Sequence, residues 1–80
     1  MSKRKYREFS KILAVALIDT DTTQKELSEK TGIMKCMISN YYRGFALPSE
    51  KNLYKLSKAL NLDVEHTLET IAKEREQTQQ

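Results

Sequence analysis

Eighty residues, 39% of them hydrophobic and 31% charged, allow one domain that buries only about 60–65% of its unfolded surface, and exclude both a disordered tail and a membrane span of about 20 apolar residues. One histidine, one cysteine and two glycines leave no ordinary metal-ligand spacing, no phosphate loop and no evident nucleophile–base pair, so no catalysis, metal or cofactor is expected and a binding module is the default class. The net charge of +3 is uneven: residues 1–60 carry twelve Lys/Arg against six Asp/Glu, and residues 61–80 carry two against five, which points to a polyanion met by the basic body and an acidic end turned away from it.

The chain opens on a basic cluster, Lys3, Arg4, Lys5 and Arg7, read as an N-terminal arm over residues 1–5. With the apolar run Ile12–Ile18 it imitates a signal peptide. Glu8 and Lys11 interrupt that pattern, however, and Asp19-Thr20-Asp21 stands where a small-residue cleavage site belongs. Phe9, Ile12, Leu13, Ala16 and Leu17 recur at helical spacing and predict a first helix from about Tyr6 to Ile18. Val15 and Ile18 widen its apolar face, so burial on more than one side is expected. Thr23, followed three residues later by Glu26, is a capping-box pattern. It opens a short helix with Leu27, Ser28 and Thr31 inward, and Gly32 stops it.

A third helix runs from about Lys35 to Arg43 and ends at Gly44, with Ile38 and Tyr41 inward and Ile33 packing at the preceding turn. Its outer side chains are Met34, Lys35, Cys36, Ser39, Asn40 and Arg43: two cations, an amide, a hydroxyl and small apolar groups, a set that matches what a DNA major groove presents. Cys36, the lone cysteine, cannot form an internal disulfide, which agrees with a reducing cytoplasm. Ser49 caps a fourth helix with Leu53, Leu56, Ser57 and Leu60 inward. Asn61 closes it, and Asp63 opens a fifth with Val64, Leu68 and Ile71 inward. From Lys73 to Gln80 the apolar face is lost, and a fraying polar tail is expected. The result is an all-α, compact five-helix domain over residues 6–72, without an internal linker.

The stretch from about 23 to 44 carries a resemblance. Thr23-Gln24, Leu27-Ser28, Thr31-Gly32-Ile33, Ile38-Ser39, Gly44, Pro48-Ser49, Leu53, Leu56 and Leu60-Asn61-Leu62 match, in order and spacing, the helix-turn-helix of the phage repressor/Cro (Xre-type) family. The match covers about residues 6–70. Ser28 replaces the usual Ala. Tyr42 stands where many members carry Glu, and Phe45 where many carry a basic phosphate-contacting residue.

The resemblance implies a lambda-repressor-like fold and a sequence-specific, double-stranded DNA-binding transcriptional regulator that is not an enzyme. A repressor acting by promoter occlusion is the expectation. Lys35 would donate to guanine or to a phosphate, Asn40 would make a two-point contact to adenine, and Met34 and Cys36 would touch thymine methyls. Gln24, Ser39 and Arg43 would hold phosphates, with Lys3, Arg4 and Lys5 over the backbone or in a groove. Members usually dimerise on near-palindromic operators. Leu62, Leu68 and Ile71 are therefore expected to form a homodimer interface on the fifth helix and its approach. The alternative is an antirepressor or adaptor that keeps the fold and binds protein. RNA binding ranks below it, and a toxin or antirepressor remains a possible protein partner.

Overall fold

The computed structural model describes residues 6–78. They form five helices: α1 (Arg7–Asp19), α2 (Gln24–Thr31), α3 (Lys35–Arg43), α4 (Glu50–Leu60) and α5 (Val64–Thr78). There is no strand among the described residues. The arm residues Lys3, Arg4 and Lys5, and the last two residues of the tail, lie outside the described residues.

Local chemistry sets most of the boundaries. Thr23 and Glu26 form the reciprocal capping box, with the Glu26 N–H donating to Thr23 Oγ1 (3.1 Å) and the Thr23 N–H donating to Glu26 Oε1 (3.1 Å). Those bonds hold the Glu26 carboxyl below the ordinary glutamate range, the Thr23 backbone N–H contributing most. α2 ends at Gly32 and α3 at Gly44, both left-handed (φ 75° and 79°), a conformation that costs a residue with a Cβ much more. Ser49 Oγ accepts from the Asn52 N–H (3.2 Å) to cap α4, and Asn61 closes that helix at φ 57°. Asp63 Oδ1 accepts from the His66 N–H (3.2 Å) at the start of α5.

α1 packs on α3 and α5, α2 on α3 and α4, and α4 on α5. The core they enclose holds Phe9, Leu13, Leu27, Ile38, Tyr41, Leu53 and Leu56, all at most 1% exposed. Phe9 and Tyr41 meet edge to face with ring centroids 6.3 Å apart, a geometry that aromatic quadrupoles favour. The buried Tyr41 hydroxyl accepts from Asn52 Nδ2 (3.1 Å), so Asn52 serves the core where a capping-box acid would have served its own helix.

Two expectations are corrected, and the residues expected at a dimer interface are placed. Val15 and Ile18 are not covered: they are 47% and 77% exposed, because α3 and α5, the helices packed on α1, leave that face open. The stretch from Lys73 does not fray at once. α5 continues to Thr78, and Glu74 is buried, accepting the N–H groups of Glu8 (3.2 Å) and Phe9 (2.7 Å). Tyr6 offers no side-chain cap to α1, and the free amides of that first turn are satisfied from α5 instead. Leu62, Leu68 and Ile71 are turned to the monomer: Ile71 is a buried core residue, and Leu62 and Leu68 are half-buried and packed against the same cluster. Ile71 is thus spent on the monomer's own core, whereas Leu62 also borders an open groove beside α1.

Candidate nucleic-acid interface

The turn that joins α2 to α3 is built from short polar side chains. Ser28 Oγ donates to the Ile33 carbonyl (2.6 Å), Thr31 Oγ1 donates to the Leu27 carbonyl (2.7 Å), and the Ile33 N–H donates to Thr31 Oγ1 (3.2 Å). These bonds satisfy backbone groups that the abrupt change of direction leaves open. Ile33 is buried beside Leu27 and Ile38, so the two helices are locked at one angle. The Ser28 hydroxyl thus ties the turn.

The far end of α3 is also fixed. Ser10 Oγ donates to the Tyr42 carbonyl. The Tyr6 N–H donates to the Gly44 carbonyl (3.0 Å), and the Phe45 N–H to the Asn40 carbonyl (2.9 Å). The C-terminal carbonyls that a helix leaves orphaned are thus occupied from α1 and from the following turn. A helix pinned at both ends presents its outer side chains in a constant register, which rigid docking into a groove requires.

With Ile38 and Tyr41 buried, helical periodicity turns Cys36, Ser39, Asn40 and Arg43 outward as one stripe at i, i+3, i+4 and i+7. Cys36, Asn40 and Arg43 are exposed and Ser39 is half-buried. Lys35 lies on the flank of that stripe, on the same side as Tyr42, seven residues on. Met34 precedes the helix as its N-cap residue and is 68% exposed. Lys35 and Arg43 have no ion-pair partner among the described residues.

Gln24, half-buried in the first turn of α2, lines a shallow groove of about 400 Å³ with Ala14, Ile18, Thr22, Thr23 and Tyr42. The groove brings Gln24 and Tyr42 to one side of the motif. In the family pattern Tyr42 is a departure. Its place beside Gln24 rests on the approach of α1, α2 and α3, which no local spacing reveals. The α2 N-terminus adds partial positive charge there, offset by the Glu26 carboxylate that its own capping box holds in the first turn. Phe45 is exposed and joins Met37 and Tyr42 as apolar surface around α3.

No group of three His, Cys, Asp or Glu side chains that could hold a metal ion occurs among the described residues. No helix there is long and apolar enough to cross a membrane.

Two helices locked by a tight turn, the second carrying a polar and cationic outer stripe, define a helix-turn-helix domain of the DNA-binding kind. The family described as "Helix-turn-helix" matches residues 16–66, and the chain belongs to it, in its Xre-like form; this is a family of DNA-binding regulators that act on double-stranded DNA. The chain is also 42% identical over 45 residues to the replication factor C small subunit of Thermococcus kodakarensis. That alignment covers 56% of this chain and 5% of that protein. No solved structure matches the chain.

Proposed function

We propose that the chain is a sequence-specific transcriptional repressor that binds a near-palindromic operator as a homodimer and occludes a promoter. The observation that carries this reading is the stripe Cys36, Ser39, Asn40 and Arg43 on a helix pinned at both ends, with two cations, Lys35 and Arg43, unpaired within the described residues. Asn40, on the stripe, reads adenine through N6 and N7, and Cys36 and Met34 touch thymine methyls. Lys35, on the flank, donates to guanine or to the adjoining phosphate. Arg43, Ser39 and Gln24 hold phosphates, and the Tyr42 hydroxyl joins Gln24 across their shared groove. Lys3, Arg4 and Lys5 extend this contact as an arm. Its attachment supports that role, since Tyr6 is tied to Gly44, next to Arg43. The exposed, unpaired Cys36 is consistent with a reducing cytoplasm.

Two copies would set their α3 helices in successive major grooves about 34 Å apart. The test is selection of bound duplexes from a random library near physiological salt. Enrichment of a near-palindrome with half-sites about 10–11 base pairs apart is the expected result. Weak binding erased by salt, without enrichment, would overturn the reading.

One observation favours a second reading, an antirepressor or adaptor that binds protein, a toxin included. Met34, Met37, Tyr42 and Phe45 are all exposed around α3, more apolar surface than phosphate contacts need. Loss of sequence enrichment in the selection would favour that reading.

A further inference from the structure

We infer that the exposed face of α1 is the homodimer interface, occupied by α1 of a second copy of this chain running antiparallel and crossing at Val15. The inference rests on the dimeric reading above and moves the interface from α5, whose apolar residues close the monomer core, to a face the monomer leaves uncovered.

Lys11, Ile12, Val15, Ile18 and Asp19 fall within one arc of α1, with Val15 near its centre. Ile18, at 77%, is the most exposed large apolar residue described, and Val15 is 47% exposed. Beside them runs a groove of about 550 Å³, lined by Ile12, Val15, Ala16, Leu60 and Leu62 together with polar side chains. A two-fold axis at Val15 pairs Val15 with itself, Ile12 with Ile18, and Lys11 with Asp19. The protruding Ile18 of each copy then enters the other's groove at Ile12, a ridge into a groove. Lys11 and Asp19, each four residues from Val15 and so about 6 Å along the axis, close the two ends with opposite charges.

The charges themselves favour this occupant. Neither the Lys11 ammonium nor the Asp19 carboxylate has an ion-pair partner among the described residues. Asp19 is the last residue of α1, whose last turn carries no basic residue. A carboxylate there opposes the helix dipole, and a lysine from a second copy compensates it. Cys36, Asn40 and Arg43 belong to neither the α1 stripe nor its groove, so the interface leaves them free; Ile18 is the one residue it shares with the edge of the Gln24–Tyr42 groove.

The test is a charge-reversal cycle followed by sedimentation of the full chain. Lys11→Asp and Asp19→Lys each replace two symmetric attractions by two repulsions, and the double variant restores both. Asp19→Lys also agrees better with the α1 dipole than the native carboxylate does, whereas Lys11→Asp lies beyond the first turn and sets a carboxylate three residues from Glu8; circular dichroism melting of each variant separates weaker association from a weakened fold. Each single variant is expected to raise the dimer dissociation constant about tenfold, and the double variant to return it to within about threefold of the wild type. Ile18→Glu, which would place two carboxylates in the grooves, is expected to sediment as a monomer where the wild type is a dimer. Wild-type dimerisation that all four variants share would overturn the inference and place the dimer elsewhere. A wild type that stays monomeric into the high micromolar range would also overturn it, while duplex enrichment in the selection would keep the operator reading standing. A rescued cycle without duplex enrichment would keep the interface and end the operator reading.

Discussion

Asn40 and Arg43 stand on one stripe of α3, yet they differ in what a loss would do. An amide that makes a two-point contact to one base carries sequence information, whereas a guanidinium on a phosphate carries none. Asn40→Ala should therefore cost about 1–3 kcal/mol of binding and relax preference at one base position, and Arg43→Ala should weaken all sequences alike and lower the salt slope by about one. Titrations of the selected duplex and its single-base variants across salt concentrations check both. A uniform loss in Asn40→Ala would mean that Asn40 positions the helix and reads nothing. The outer stripe was legible in the sequence because 3.6-residue periodicity fixes it once Ile38 and Tyr41 are known to be inside. Tyr42 beside Gln24 was not legible, because three separate helices bring that pair together.

Helix ends divide in the same way. The α2 box, Gly32, Gly44, Ser49 and Asn61 were readable because each cap acts within about five residues of chain. The cap of α1 was not, since Glu74 reaches the amides of Glu8 and Phe9 across 66 and 65 residues, and a polar run after Ala72 resembles an ordinary solvated tail. A buried carboxylate that accepts two backbone N–H groups makes charge-assisted bonds. Glu74→Ala leaves those amides unpaired, so the expected loss is about 2–4 kcal/mol of unfolding free energy, read from urea melts. Glu26 offers a pH test at the element scale. Its folded pKa is lowered, chiefly by the Thr23 N–H, so its contribution is complete above the unfolded value of about 4.3 and is lost as pH falls through the folded one. Glu26→Gln keeps an acceptor for that N–H but cannot titrate. Melts between pH 6 and pH 2, values chosen to bracket the transition, should show a shallower acid loss in the variant than in the wild type.

At the scale of the whole molecule, the resemblance points to Leu62, Leu68 and Ile71 for the dimer, whereas the inference drawn from the packed domain points to α1. Composition counts side chains, and only the packed domain decides which of them the monomer consumes. Ile71 is consumed by the core, Leu62 and Leu68 are half-buried against it, and Val15 and Ile18 are left exposed. If α1 joins two copies, dimerisation and operator binding are coupled, because the second half-site is then met at the effective concentration that the first contact sets. Lys11→Asp should accordingly lose about tenfold or more in affinity for a two-half-site duplex and little for a single half-site. A changed net charge would by itself alter DNA affinity, so the decisive comparison is Lys11→Asp/Asp19→Lys, whose net charge equals that of the wild type. Recovery of two-site affinity in that double variant, with half-site affinity flat throughout, assigns the loss to the protein–protein contact. Equal losses on half-site and full-site duplexes would instead place α1 against the DNA.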